Sequence, residues 1–207
     1  MRRENNIAHC VDLDKDVLEW GKNNNLTKLS PEQQKNLHIY NENVLTVDVE
    51  RVDALLAMNF SYWILKDRKT LKHYFTRIHN DWLTEEGVLF LDFYGGYEAF
   101  QELEEKTKHN GFTYVWDQAE YNPITGECTN HIHFHFKDGS KIKKAFTYMW
   151  RLWTLPEILD LLEECQFKVT VYWEGNDEDG EGNGIFEPAT KADADAGWIA
   201  YLVCEPR

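Results

Sequence analysis

The sequence predicts an α/β fold with an antiparallel insertion, on three observations. Helix and strand patterns alternate from residue 7 to about 110. Two strand segments in that region are near-continuous apolar runs, the composition of a parallel strand covered on both faces. Between residues 112 and 149 the rhythm changes to strands joined by short turns, which implies antiparallel pairing. With 207 residues, 43% of them hydrophobic and 14% aromatic, the chain is long enough to build one sizeable core.

Taken in order, Ile7-Ala8-His9-Cys10-Val11-Asp12 reads as a short strand ending in a carboxylate. Asp14 can cap a helix running to about Asn24, with Val17, Leu18 and Trp20 as its apolar contacts. Ser30, Pro31 and Gln33 are spaced as a capping box with proline at the first helical position. A brief strand follows at Leu37–Tyr40, and the run from Val52 to Met58 suits a central parallel strand. Leu71, Phe75, Ile78 and Trp82 recur at helical spacing and mark one buried face. Val88–Tyr94 is a second buried strand, stopped by Gly95-Gly96, and the charged segment Tyr97–His109 is expected to be helical. Strands are expected at 112–120, 129–136 and 140–149, then a helix capped by Thr154 that presents Ile158, Leu161, Leu162 and Cys165. The last strands are Lys168–Glu174 and Gly197–Cys204, joined by an acidic, glycine-rich loop at 175–196.

Composition narrows the function. Lys and Arg total 22 against 36 Asp and Glu, a formal charge of −14, which disfavours a phosphate-backbone partner, so no nucleic acid is expected. No apolar run approaches the roughly 18–20 residues that span a bilayer, and the N-terminal residues lack a secretory apolar region. Cys10, Cys128, Cys165 and Cys204 are widely separated, with neither C-x-x-C pairs nor zinc spacing. A soluble cytoplasmic protein without a membrane partner is the expectation.

The order of these segments resembles a class I S-adenosylmethionine-dependent methyltransferase of small-molecule type. Val11-Asp12-Leu13-Asp14 is similar to the strand-end acidic motif that holds the cofactor ribose. Asn41-Glu42-Asn43-Val44 resembles the segment meeting the adenine edge. Val52 to Tyr62 resembles the fourth-strand motif bordering the methyl group, and Trp82 to Asp92 the segment leading into the fifth strand. The family's acid-x-Gly-x-Gly-x-Gly loop has no counterpart ahead of residue 7. The resemblance implies a Rossmann-like, mostly parallel, doubly wound sheet with a reversed last strand and an antiparallel β cap insertion. It further implies a single domain over 1–207, with core segments 7–110 and 154–207 and a substrate cap at 111–153. S-adenosyl-L-methionine is the implied cofactor and a small molecule the substrate. An uncovered parallel sheet edge makes a homodimer an expectation as well. The alternative from another class is a methyltransferase-like module that binds without catalysis.

On that resemblance, the cofactor-binding residues are Asp12, Leu13, Asn43, Val44, Asn59 and Phe60, with Asp12 accepting from the ribose hydroxyls and Leu13 and Val44 flanking adenine. Tyr62, Trp63, Tyr94 and Arg151 are the candidate substrate contacts. Tyr62 and Trp63 would wall a cationic methyl group with π-faces, and Arg151 would clamp a carboxylate. His131, His133 and His135 alternate with apolar residues and share one strand face. No fourth ligand is evident, so no metal is expected, and His133 joins Tyr62 as a candidate catalytic group. The acidic loop from Glu174 to Asn183 fits no EF-hand register.

Overall fold

A computed structural model describes residues 6–177 and 182–207 and shows a mixed α/β chain. It divides into two compact units, Met1–Arg51 and Val52–Arg207.

In the first unit, β1 (Ala8–Val11) and β2 (Leu37–Tyr40) pair in parallel and in register, Ala8 opposite Leu37. They are joined by α1 (Lys15–Asn24), a 3₁₀ turn at Leu26–Lys28 and α2 (Pro31–Lys35). The caps are those the sequence specifies. The Asp14 carboxylate accepts the backbone N–H groups of Asp16 and Val17, and Ser30 and Gln33 form both halves of a capping box. The expected burial of α1 does not occur: the helix has no buried residue, and Val17 and Trp20 are more than half exposed. Two strands of four residues offer too little sheet to cover a three-turn helix.

The second unit is built on a five-stranded sheet. Its members are β3 (Val52–Ala57), β4 (Leu83–Gly95), β9 (Phe167–Asn176), β10 (Gly182–Pro188) and β11 (Trp198–Pro206), in the order β10-β9-β11-β4-β3. β3 and β4 are parallel, whereas β11 lies antiparallel between β4 and β9. β9 therefore points the same way as β3 and β4. The helices α3 (Arg68–Arg77), continued by a π turn at Ile78–Trp82, and α4 (Leu155–Glu164) supply the rest of the core. Leu71, Phe75 and Ile78 are fully buried, as are Ile158, Leu161 and Leu162, together with Leu89 and Leu91 of β4 and Leu202 and Cys204 of β11. Asp67 caps α3, and Thr154 with Glu157 forms a capping box on α4.

A separate four-stranded antiparallel sheet comprises β5 (Leu103–Lys108), β6 (Phe112–Tyr121), β7 (Glu127–Phe136) and β8 (Lys141–Arg151) in sequential order. Two expectations are corrected. The segment 97–109 is not a helix but a 3₁₀ turn at Tyr97–Phe100 followed by β5, so the antiparallel strands begin at Leu103 rather than at 111. The cause is the Asn110-Gly111 turn, with Gly111 at φ 106°, which folds the segment back onto β6. Alternating charges then serve as the solvated side of an edge strand, Lys106 reaching Glu104 at 2.8 Å. The 175–196 loop likewise contains β10, paired with β9 through Phe186 opposite Glu174. Residues 178–181 of the acidic stretch lie outside the described residues.

Candidate active site

In the first unit, the ends of β1 and β2 present the expected cofactor residues. Asn41 ties them together, its amide donating to the carbonyl oxygens of Asp12 (3.1 Å) and Leu13 (2.9 Å). Asp12 is exposed just beyond β1, and its Oδ1 accepts the N–H of Asp14 at 2.8 Å. That bond fixes the carboxylate at the strand end, and its second oxygen makes no hydrogen bond among the described residues. Leu13 projects beside it, 66% exposed. Asn43 Oδ1 accepts the Leu45 N–H at 2.9 Å, which leaves the amide NH₂ as the group it can offer outward. Val44 is half-buried. A carboxylate acceptor, an exposed aliphatic side chain and an outward amide suit a ribose and the flank of a purine.

In the second unit, the chain leaving β3 makes a sharp kink. Asn59 and Phe60 both have left-handed backbones, φ 56° and 53°. Such conformations are costly outside glycine, and Phe tolerates them less well than Asn. Asp92 on β4 holds the kink: Oδ2 accepts the Asn59 N–H at 2.6 Å and Oδ1 the Phe60 N–H at 2.8 Å. Asp92 is only 7% exposed, and burial pushes its carboxyl above the usual carboxylate range against the opposing pull of those N–H donors. Its backbone carbonyl in turn accepts the Tyr62 hydroxyl at 2.9 Å.

The expected aromatic wall is therefore part of the core. Tyr62 is buried with its hydroxyl occupied, and burial drives its phenol well above the ordinary range. Trp63 is fully buried, its ring 4.7 Å from that of Tyr94 and 5.2 Å from that of Phe93. The kink turns Phe60, not Tyr62 or Trp63, toward open space, with its ring edge-on to Tyr94 at 4.8 Å.

His133 also differs from the expectation of a free base. Its Nδ1 accepts the Lys144 backbone N–H at 2.7 Å, and its Nε2 lies 3.0 Å from Asp117 Oδ2. Because the backbone N–H can only donate, the neutral ring carries its proton on Nε2 and gives it to Asp117. Both nitrogens are thus used to hold a bulge in β8, where Lys144 has φ 51° and the register with β7 shifts. His131 bonds Thr147 at 2.9 Å, and burial holds its pKa below the ordinary imidazole value. Arg151 donates to Glu157 (3.0 Å) and to the Lys66 carbonyl (3.3 Å), with its guanidinium 3.7 Å above the Trp153 ring. It locks β8 to the start of α4 and is not a free carboxylate clamp. Among the described residues, no group of three or more His, Cys, Asp or Glu side chains converges to hold a metal.

Phe60 and Tyr94 instead border a cleft of about 880 Å³ beyond the C-terminal end of β4. Its floor depends on two glycines. A Cβ on Gly95 would enter the Trp198 ring, and one on Gly96, which has φ 112°, would strike the Ala196 carbonyl. These close approaches bring the 195–198 segment against the strand end, and the Glu98 N–H donates to the Ala196 carbonyl at 2.9 Å. Trp198 stacks on Phe93 and meets Trp173 at 4.5 Å. β6 closes the opposite side with Tyr114, Trp116 and Gln118. Neither the Asp92 clamp nor the cleft residues Glu98, Trp116, Asp195 and Trp198 were identifiable from spacing alone. Gly95-Gly96 after a buried strand was the available signal.

The second unit's sheet has a reversed strand between two that run alike. Solved S-adenosylmethionine-dependent methyltransferases share this fold. The protein of that description from Clostridium acetobutylicum ATCC 824 aligns at TM-score 0.67 and 17% identity, over 97% of this chain and 76% of that one. CcbJ methyltransferase from Streptomyces caelestis gives TM-score 0.69 at 10% identity, over 96% and 74%. CalS10, an amino pentose methyltransferase from Micromonospora echinaspora solved with S-adenosylmethionine bound, gives 0.59 at 12%, over 94% and 73%. No protein-family model and no curated protein matches the sequence at a significant level.

Proposed function

We propose that this protein is an S-adenosylmethionine-dependent methyltransferase acting on a small molecule, the chain 1–207 forming one methyltransferase-like domain. The observation that carries the reading is Asp12: a carboxylate fixed at a parallel strand end by the Asp14 N–H, on a backbone that Asn41 holds, with one oxygen uncommitted among the described residues and an exposed Leu13 beside it. Ligands of open α/β sheets bind at such strand ends, where an acid takes ribose hydroxyls. Leu13 and Val44 are assigned to the flanks of adenine, and the Asn43 amide to its edge. In the second unit, Asn59 and Phe60 are assigned to the neighbourhood of the transferable methyl, held there by Asp92.

The cofactor, when bound, supplies an electrophilic methyl group, so displacement at carbon needs chiefly alignment and the exclusion of water from the protein. Phe60 and Tyr94 provide apolar walls at the mouth of the cleft, and the Asp92 clamp keeps the first of them from swinging away. The description of CalS10 as an amino pentose methyltransferase supports an acceptor of that size. A homodimer is proposed from β3, whose outer edge pairs with no strand among the described residues and whose Leu56 is 67% exposed.

Isothermal titration with S-adenosylmethionine tests the assignment. Saturable binding is expected, weakened about tenfold or more by Asp12→Ala, since a hydrogen bond to a charged acceptor contributes roughly 1.5–3 kcal/mol. Equal affinity of the wild type and the variant would remove Asp12 from the site.

A further inference from the structure

The cleft beside Phe60 and Tyr94 has an unusual charge balance. Among the described residues, four carboxylates line it, Glu98, Glu105, Glu174 and Asp195, and no Lys, Arg or His does. Glu174 is occupied, accepting the Gly184 N–H at 2.8 Å. Glu98 and Asp195 are half-buried, and among the described residues neither side chain has a hydrogen bond or an ion pair. The two are brought together by the Glu98–Ala196 backbone bond and by the close approach at Gly96. Around them stand the rings of Phe60, Tyr94, Tyr114, Trp116, Trp173 and Trp198.

Like charges withdrawn from water without a counter-charge destabilise the protein that carries them. A concave site lined with one sign of charge also focuses its field on whatever enters. Aromatic faces attract cations through the ring quadrupole, an attraction that neutral molecules of the same shape lack. An anionic ligand would meet carboxylates with no cation to offset them. A neutral ligand would fill the volume and leave Glu98 and Asp195 as they are. An organic cation satisfies both groups.

We infer that this cleft is a recognition site for a small organic ammonium ion, with Glu98 and Asp195 as its charge partners and Trp116 and Trp198 against its carbon skeleton. Its assignment as an acceptor site rests on the proposed methyltransferase function. The binding itself does not, because it requires no S-adenosyl compound.

The test uses phenethylammonium and its neutral isostere 2-phenylethanol, titrated separately into the full chain at pH 7 and low salt with protein NMR as the readout. The cation is expected to bind at least tenfold more tightly, and its affinity to fall as salt is added. Glu98→Gln and Asp195→Asn should each weaken the cation several-fold, leaving 2-phenylethanol binding unchanged and the thermal midpoint no lower. Equal affinities for the two probes, no cation binding, or cation binding unaltered in the double variant would overturn the inference. So would displacement of phenethylammonium by S-adenosylmethionine, which would make the cleft the cofactor's own. If S-adenosylmethionine does not bind at all while the cation does, the proposed function fails and the cation site stands.

Discussion

The carboxylate of Asp92 receives backbone N–H groups from two successive residues with positive φ, so its two oxygens are not interchangeable with one. Asp92→Asn keeps the volume but presents a single acceptor, leaving one of those N–H groups facing an amide NH₂. A buried group left unsatisfied costs about 1–3 kcal/mol. Denaturant unfolding of the variant should show a lower midpoint with an unchanged slope, and an unchanged midpoint would mean the kink holds itself. At this scale, what the sequence reveals depends on how local the partner is. Asp14, Ser30 and Thr154 act on residues within one helical turn, and their roles follow from spacing. Asp92 acts on residues 32 and 33 positions earlier, and His133 on a bulge created by register, so neither role is written in its neighbourhood. Tyr62 and Trp63 illustrate the same limit, because a left-handed kink just before them decides which aromatic ring turns outward.

Among the elements, α3, β4, α4 and β11 were legible because each carries one hydrophobic pattern, helical spacing in α3 and α4 and an apolar strand run in β4 and β11. Segment 97–109 misled because Glu and Lys favour helices in isolation, while the turn at Asn110-Gly111 supplies a strand partner that overrides the preference. The junction after β4 makes an element-scale prediction. Gly95→Ala must displace the Trp198 ring or open the β4–β11 pairing, which ends at Trp198 opposite Gly95. A loss of about 1–3 kcal/mol is expected, as for overpacking elsewhere. Tryptophan fluorescence should change with it, since Trp198 contacts both Phe93 and Trp173. Unaltered stability and fluorescence would contradict this packing.

For the whole molecule, burial sets the alkaline limit of stability. Tyr62 and Tyr74 both lie in the core, and burial raises both phenols above the ordinary tyrosine value of about 10. The unfolded chain ionises first, so their contribution is intact below pH 10 and is lost as the pH climbs toward the folded-state values. Absorbance at 295 nm should therefore show these two tyrosines titrating together with loss of the folded circular dichroism signal. Ionisation of all tyrosines near pH 10 with the fold intact would refute that. Fold class was readable across the chain because hydrophobic periodicity is a property of segments. The cleft was not, because its walls come from β4, β6, β9 and the 195–198 segment, which topology alone brings together. The central claim is that the end of β1 is a cofactor site. Amide hydrogen exchange with and without saturating S-adenosylhomocysteine tests it most directly. Slowed exchange in peptides covering residues 11–14 and 41–46 is predicted, and unchanged exchange in both, with the chain folded, would contradict it.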